Sequence, residues 1–321
     1  MRILKWALIL LAALVTGAVA LGYTPDTDAT AMRAKYGSGA SRFLTLSPGL
    51  TVHVRDQGVR NGRALVLIHG SNASLHTWEP WVTRLQSEYR IITLDLPGHG
   101  LTGANPNGRY DMDSYVDVVD QVMQQLGVPH AILAGNSMGG GVSWNYALSH
   151  PEKVDALVLV DAAGAPSAKS RNMPIGFRIA RMPGVRALAE VITPRSMFEA
   201  SLKTSVYDPG FATPQMVDRY WELNRYPGNR AATLARFAQM GQNRAATPAR
   251  LAAIKVPVLI MWGQEDNLIP VAAAHWFHKA LPTSQLIIYP KVGHIPMEEI
   301  PDQSAEDVKR WLADLPLAAT P

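Results

Sequence analysis

The stretch Gly135-Asn136-Ser137-Met138-Gly139 constrains this chain more than any other. An apolar run, His130-Ala131-Ile132-Leu133-Ala134, precedes it and has the length and composition of a buried strand. A helical pattern from Gly139 to Leu148 follows it. A strand that passes through G-x-S-x-G straight into a helix must turn sharply, and the turn lifts the serine hydroxyl clear of the backbone. Glycines at 135 and 139 leave the room that such a turn needs. The helix N-terminus then offers free N–H groups, and the positive end of its dipole, to negative charge developing near Ser137. A serine hydroxyl in that setting is a nucleophile that still needs a base.

The rest of the chain supplies one in a fixed order. Val256 to Trp262 is a second buried strand and runs into Gly263-Gln264-Glu265-Asp266. Gln285 to Tyr289 is a third and runs into Val292-Gly293-His294. Earlier, Ala64 to Ile68 leads into His69-Gly70-Ser71-Asn72, and Arg90 to Leu94 leads into Asp95-Leu-Pro-Gly-His-Gly100. His294 is the candidate base, because it follows a strand and a glycine late in the chain. The acid stays open between Asp266, its neighbour Glu265, and Asp161, which ends the strand predicted over 154–160. His69 and His99 belong to loop motifs, where hydrogen bonding between loops is their expected work. His275 and His278 are read as helix-surface residues, since no third metal ligand accompanies them.

Strands alternate with helical segments at Trp78 to Glu88, Met112 to Leu126 and Gly139 to Leu148, which implies a doubly wound, mostly parallel sheet. Arg42 to Leu46 and Leu50 to Val54, split by Ser-Pro-Gly, predict a hairpin at its start. The alternation breaks over residues 165–247, where helical stretches are punctuated by seven prolines and no strand is evident. It then resumes, with a helix near 271–280 and a closing helix over 302–311.

Taken together over residues 41–314, these motifs resemble the α/β-hydrolase family. The resemblance implies an α/β-hydrolase core in two parts, 42–164 and 248–321, with 165–247 inserted as an all-helical cap over the site. The pattern W-G-x-x-D-x-x-x-P, Trp262 to Pro270, places the family's acid on Asp266, completing a triad of Ser137, Asp266 and His294. The implied oxyanion hole joins the backbone N–H of Met138 to that of Ser71, the residue after His-Gly. The activity implied is cofactor-free, metal-free serine hydrolysis of a small-molecule carboxylic ester through an acyl-enzyme. The segment Gly-Asn-Ser-Met-Gly-Gly also resembles the meta-cleavage product hydrolases, which split carbon–carbon bonds in vinylogous diketone acids. Asn136 and an arginine in the cap would suit such a carboxylate-bearing substrate, but that family commonly has tryptophan after the catalytic histidine, and here Ile295 follows. Asn136 and Ile295 are therefore the candidate pocket residues. A reading of another class is a non-catalytic binding protein on the same fold. Such proteins usually lose a triad member, and here all three positions are filled.

Composition narrows the setting. With 321 residues the chain has room for one large domain and an insertion. It has no cysteine, which excludes a disulfide scaffold, a thiolate metal site and a cysteine nucleophile. Residues 1–22 begin with Arg2 and Lys5 and continue as an uncharged apolar run, with Ala18-Val19-Ala20 fitting a cleavage site. They read as a signal peptide or an N-terminal membrane anchor, which places the catalytic domain outside the cytoplasm, periplasmic or held at the inner membrane. Residues 23–41, polar and holding Pro25, Gly37 and Gly39, read as a linker. The cap segment carries ten Arg and two Lys against three Glu and two Asp, in a chain of net charge +4. No phosphate-binding loop or nucleic-acid module accompanies that charge, so nucleic acid is not an expected partner.

Overall fold

A computed structural model describes residues 22–166, 190–239, 245–282 and 284–315, with a few isolated positions before residue 22. Most of the segment 1–22 and the first part of the cap lie outside the described residues. Among the described residues, no helix is long and apolar enough to cross a membrane.

Eight strands form one sheet: β1 (Ser41–Leu46), β2 (Leu50–Gly58), β3 (Ala64–Ile68), β4 (Arg90–Leu94), β5 (Ala131–Asn136), β6 (Val154–Val160), β7 (Val258–Gly263) and β8 (Gln285–Tyr289). Their spatial order is β1-β2-β4-β3-β5-β6-β7-β8. The β1–β2 hairpin and the β2–β4 pair are antiparallel, and every other pair is parallel. Parallel strands need helical crossovers, and these cover both faces of the sheet. That is why β5 and β7 are buried at every residue and read as unbroken apolar runs. Along β5, Leu133 belongs to the core on one face, while Ile132 and Ala134 belong to the core on the other.

The first face is covered by α3 (Met112–Gln125) and α4 (Met138–Ser149), through Val119, Val122, Val142 and Tyr146. The second is covered by α2 (Glu79–Leu85) and, at the far end of the chain, by α9 (Pro301–Ala313). Trp81 and Trp311 fill that core, and Trp81 Nε1 donates to Ser304 Oγ at 2.8 Å. Helix α8 (Ala272–Ala280) returns the chain from β7 to β8 on the first face.

The described part of the insertion between β6 and β7 is helical. Its helices are α5 (Arg195–Ser205), α6 (Pro214–Asn224) and α7 (Asn229–Gln239). Phe198, Leu202 and Val217 of α5 and α6 join the second core, which also contains Ile295 and Met297. The insertion is therefore packed on the edge of the sheet where the strands end.

One expectation needs correction. The segment read as a linker contains a helix, α1 (Ala29–Tyr36), whose first turn is capped by Asp28 accepting from Ala31 N at 2.7 Å. Met32 packs with Leu101, Leu223 and Tyr226, and Lys35 pairs with Glu222 at 2.6 Å. Polar composition hid it, because this short helix buries little surface of its own and is held by the cap.

Candidate active site

The carboxyl ends of β5, β6, β7 and β8 lie side by side, and each delivers one polar residue to the same edge. Ser137 follows β5 at φ 53° and ψ −117°, a backbone region that costs a non-glycine residue on the order of 1–3 kcal/mol. The surroundings enforce it. Ser137 N donates to Val160 O at 3.0 Å, and Ser137 O accepts from Ala163 N at 2.8 Å and Gly141 N at 3.1 Å. A methyl on Gly135 would collide with the Gly139 backbone, and one on Gly139 would collide with Ile68 O, so the close crossing of β5, α4 and β3 admits only glycine at these positions.

Asp266 sits in the turn after β7. Its Oδ1 accepts from Leu268 N at 2.7 Å and Ile269 N at 3.0 Å, which fixes the carboxylate and turns Oδ2 toward His294 Nδ1, 2.6 Å away. An ionised carboxylate only accepts, so Nδ1 carries the proton and Nε2 is left as the basic nitrogen. Both side chains are buried. The runner-up acids are used otherwise. Glu265 accepts from Val292 N, and Asp161 Oδ1 accepts from Gly263 N at 3.0 Å.

Asp161, fully buried at φ 45°, still belongs to the site. Its carboxylate, that of Asp266 and the His294 ring each place a donor atom within 4.8 Å of the others. Burial, and then the charge of Asp266, push the Asp161 carboxyl well above the usual carboxylate range. Of the two carboxyls, Asp161 is the one whose ionisation its surroundings disfavour. This is also the group among the described residues with metal-ligand convergence, but its closest pair faces across a hydrogen bond instead of opening toward a shared ion.

The loop carrying His294 is held from three sides. His294 N donates to Ser205 O at the end of α5, 2.7 Å away. Glu299 accepts from Gly293 N at 3.0 Å and Tyr207 N at 2.8 Å, and burial raises its carboxyl above the usual range. Asn136 Nδ2 donates to His294 O at 3.0 Å and to Val160 O at 3.3 Å. The residue before Ser137 thereby ties this turn to the histidine loop. Ile295 is buried in the second core beside Met297.

The opposite wall is the β3 loop. A methyl built on Gly70 would come 3.1 Å from Ser137 Cβ, so Ser71 lies beside the elbow. Among the described residues, no acceptor takes the backbone N–H of Ser71 or of Met138, which leaves two donors free next to Ser137. The loop is braced by Leu96 N donating to His69 Nε2 at 3.0 Å, while His69 Nδ1 donates to Gly70 O at 2.7 Å. Asp95 anchors the next loop, accepting from Leu75 N at 2.7 Å, Leu101 N at 2.8 Å and the His53 ring at 2.7 Å. Burial alone would raise the Asp95 carboxyl, but the neighbouring imidazoles, His53 foremost and then His69 and His76, together hold the group far below the usual range.

Sequence patterns did not single out His53, Glu298, Glu299 or Arg236. Glu298 fastens the cap to the core: it accepts from Arg219 Nη2 at 2.5 Å, Tyr220 OH at 2.8 Å and Thr77 Oγ1 at 2.5 Å. Arg236 of α7 donates to Ser71 Oγ at 2.5 Å. Each pairing joins residues distant in sequence, and no local pattern marks it.

Comparisons with known proteins find relatives over most of the chain. An uncharacterized protein of Mycobacterium tuberculosis is 28% identical over 276 residues, spanning 82% of this chain and 80% of the relative. A 2-hydroxy-6-oxononadienedioate/2-hydroxy-6-oxononatrienedioate hydrolase of Comamonas testosteroni is 26% identical, over 80% of this chain and 91% of its own. Among solved structures, a membrane phospholipase A described as a bacterial virulence factor superposes with a TM-score of 0.73 at 25% identity, covering 98% of both chains. The profile of the alpha/beta hydrolase fold family matches residues 63–301, and the chain belongs to that family.

Proposed function

We propose that this hydrolase cleaves a carboxylic ester through an acyl-enzyme on Ser137. The observations that carry the reading are the strained Ser137 backbone, the buried Asp266–His294 pair at 2.6 Å, and the Asn136 amide that ties the turn before Ser137 to the His294 loop. In this reading His294 Nε2 takes the Ser137 proton as Oγ attacks the ester carbonyl, and Asp266 stabilises the imidazolium. The Ser71 and Met138 N–H groups receive the oxyanion, a contribution that typically changes turnover by about 10²–10³ per donor. His294 returns the proton to the departing alcohol, and water then releases the acyl group by the same route.

Ester over carbon–carbon cleavage is favoured by Ile295 in the position after the base. The match to a membrane phospholipase A, covering 98% of this chain, points the same way. That match also accords with an exported enzyme, which we propose for this chain on the strength of its apolar N-terminus. Fusions after residue 40 test the location: alkaline phosphatase activity without green fluorescence supports export, and the reverse refutes it.

Hydrolysis of vinylogous diketone acids is the second reading, favoured by the Gly-Asn-Ser-Met-Gly-Gly segment and the Comamonas testosteroni relative. A panel of p-nitrophenyl esters run beside one ring-fission acid decides between the two. Fluorophosphonate labelling, present in wild type and lost in Ser137→Ala, tests the nucleophile under either reading. Ring-fission acid turned over orders of magnitude faster than every ester would replace the first reading with the second.

A further inference from the structure

Helix α7 carries a charge that this chain does not neutralise. Arg236 is only 5% exposed. Its Nη2 donates to Ser71 Oγ, and its buried Nε has no hydrogen-bond partner among the described residues. The guanidinium lies 4.5 Å from the Phe237 ring centroid, a contact that favours a cation without cancelling its charge. Every aspartate and glutamate of the chain is among the described residues, and none of them pairs with Arg236. Other shielded arginines behave differently: Arg90 meets Asp56 at 3.0 Å, Arg219 meets Glu298 at 2.5 Å, and Arg230 meets Asp26 at 2.6 Å.

The groups around Arg236 do not compensate for it. Burial drives His69 and His99 toward the neutral form, and the Arg236 charge adds to that effect in both. His69 also spends Nε2 on accepting Leu96 N, so it cannot protonate there without losing that bond. His99 Nε2 is itself buried without a partner. Burial lowers the Arg236 pKa below the usual arginine range. Leaving an ion uncompensated in a protein interior is expensive. An arrangement of this kind persists where a ligand supplies the counter-charge.

The position says which ligand. Arg236 touches Ser71, and Gly70, the residue before it, lies against Ser137. We propose that Arg236 is a substrate-binding residue: the ester carries an anionic oxygen group, carboxylate or phosphate, that pairs with this guanidinium next to the scissile carbonyl. The planar fork of a guanidinium meets two oxygens of such a group at once, which an ammonium does not. This inference rests on the ester reading and narrows it to acidic esters.

The test uses the purified full chain and two matched substrate pairs. One pair is p-nitrophenyl butyrate against the p-nitrophenyl monoester of succinic acid. The other is dihexanoylglycerol against dihexanoyl phosphatidate. Wild type is expected to favour the anionic member of one pair by about tenfold or more in kcat/KM; the pair that responds identifies carboxylate or phosphate. In Arg236→Met that ratio should fall to near one, and in Arg236→Lys it should lie between. A ratio near one in wild type overturns the inference without any variant. So does a ratio that survives in Arg236→Met while both members slow together, because a residue that only holds Ser71 in place acts on both. Should Arg236→Met fail to fold, Arg236→Lys and the wild-type ratios still decide. Failure of the ester reading looks different: no ester is hydrolysed and no fluorophosphonate label is taken up.

Discussion

Asn136 donates its side-chain amide to the backbone carbonyl of His294, 3.0 Å away, so the residue before Ser137 braces the loop that carries the histidine. The same amide reaches Val160 O, and the side chain is buried. Asn136→Ala removes both donors; Val160 O keeps Ser137 N, but His294 O is left short of a partner, at a cost of about 1–3 kcal/mol. Small drift of the imidazole should lower kcat by up to about 10²-fold while KM changes little. Melting curves and steady-state kinetics on one preparation check both parts, and an unchanged kcat would show that the brace does no positioning.

The strain at Ser137 predicts an order of stabilities. Ser137→Gly and Ser137→Ala should both abolish hydrolysis and fluorophosphonate labelling. Glycine adopts φ 53° and ψ −117° freely, whereas alanine keeps the clash. Relief of about 1–3 kcal/mol of strain exceeds the roughly 0.5–1 kcal/mol of extra chain entropy that glycine loses on folding. Ser137→Gly should therefore melt above Ser137→Ala. The opposite order would mean that the elbow holds no strain for a side chain.

The two carboxyls at the ends of β6 and β7 should separate cleanly in mutants. Asp266→Asn should cost on the order of 10⁴ in kcat, as for the triad aspartate of the serine proteases, because the imidazole loses its orientation. Asp161→Asn should cost far less, since an amide oxygen can accept from Gly263 N as the carboxyl does. A crippled Asp161→Asn beside a mild Asp266→Asn would exchange their roles.

Asp161 also carries a pH signature. Its carboxyl is raised in the folded state, so it stays protonated where the unfolded chain has already released its proton. Its contribution to stability is full below the ordinary carboxylate pKa of about 3.9 and is lost as pH climbs from there toward the raised folded value. Asp161→Asn cannot ionise and escapes that loss. The melting temperature of Asp161→Asn minus that of wild type should grow from pH 4 to pH 7. A difference independent of pH would mean that Asp161 is ionised in the folded protein.

What the sequence disclosed follows from where the constraints are local. Strand β7 was expected at 256–262 and lies at Val258–Gly263. The closing helix was expected at 302–311 and lies at Pro301–Ala313. Both are long periodic or apolar runs bounded by glycine or proline, so neighbours in sequence decide them. The Asp266–His294 pair was legible because each residue follows a strand end, and parallel strands bring their ends together. Helix α1 was missed because its stability comes from the cap, through Met32 and Lys35, and not from an amphipathic face of its own. Arg236 was hidden for the same reason. Its significance is the absence of a carboxylate partner, which is a property of the folded arrangement.

The last prediction concerns the fastening of the cap. Glu298 and Arg219 form a largely buried pair at 2.5 Å, and Thr77 and Tyr220 complete the set of donors to the carboxylate. Glu298→Ala strands a shielded guanidinium, and Arg219→Ala strands a carboxylate, so either alone should destabilise by about 3–5 kcal/mol. Replacing both at once, as Arg219→Met with Glu298→Leu, removes two desolvation penalties together with one attraction and should fall well short of the sum of the single losses. Urea unfolding of the two alanine variants and the double variant measures this directly. If the double loss instead equals the sum of the single ones, the pair is not coupled, and the apolar contacts of Phe198, Leu202 and Val217 hold the cap without it.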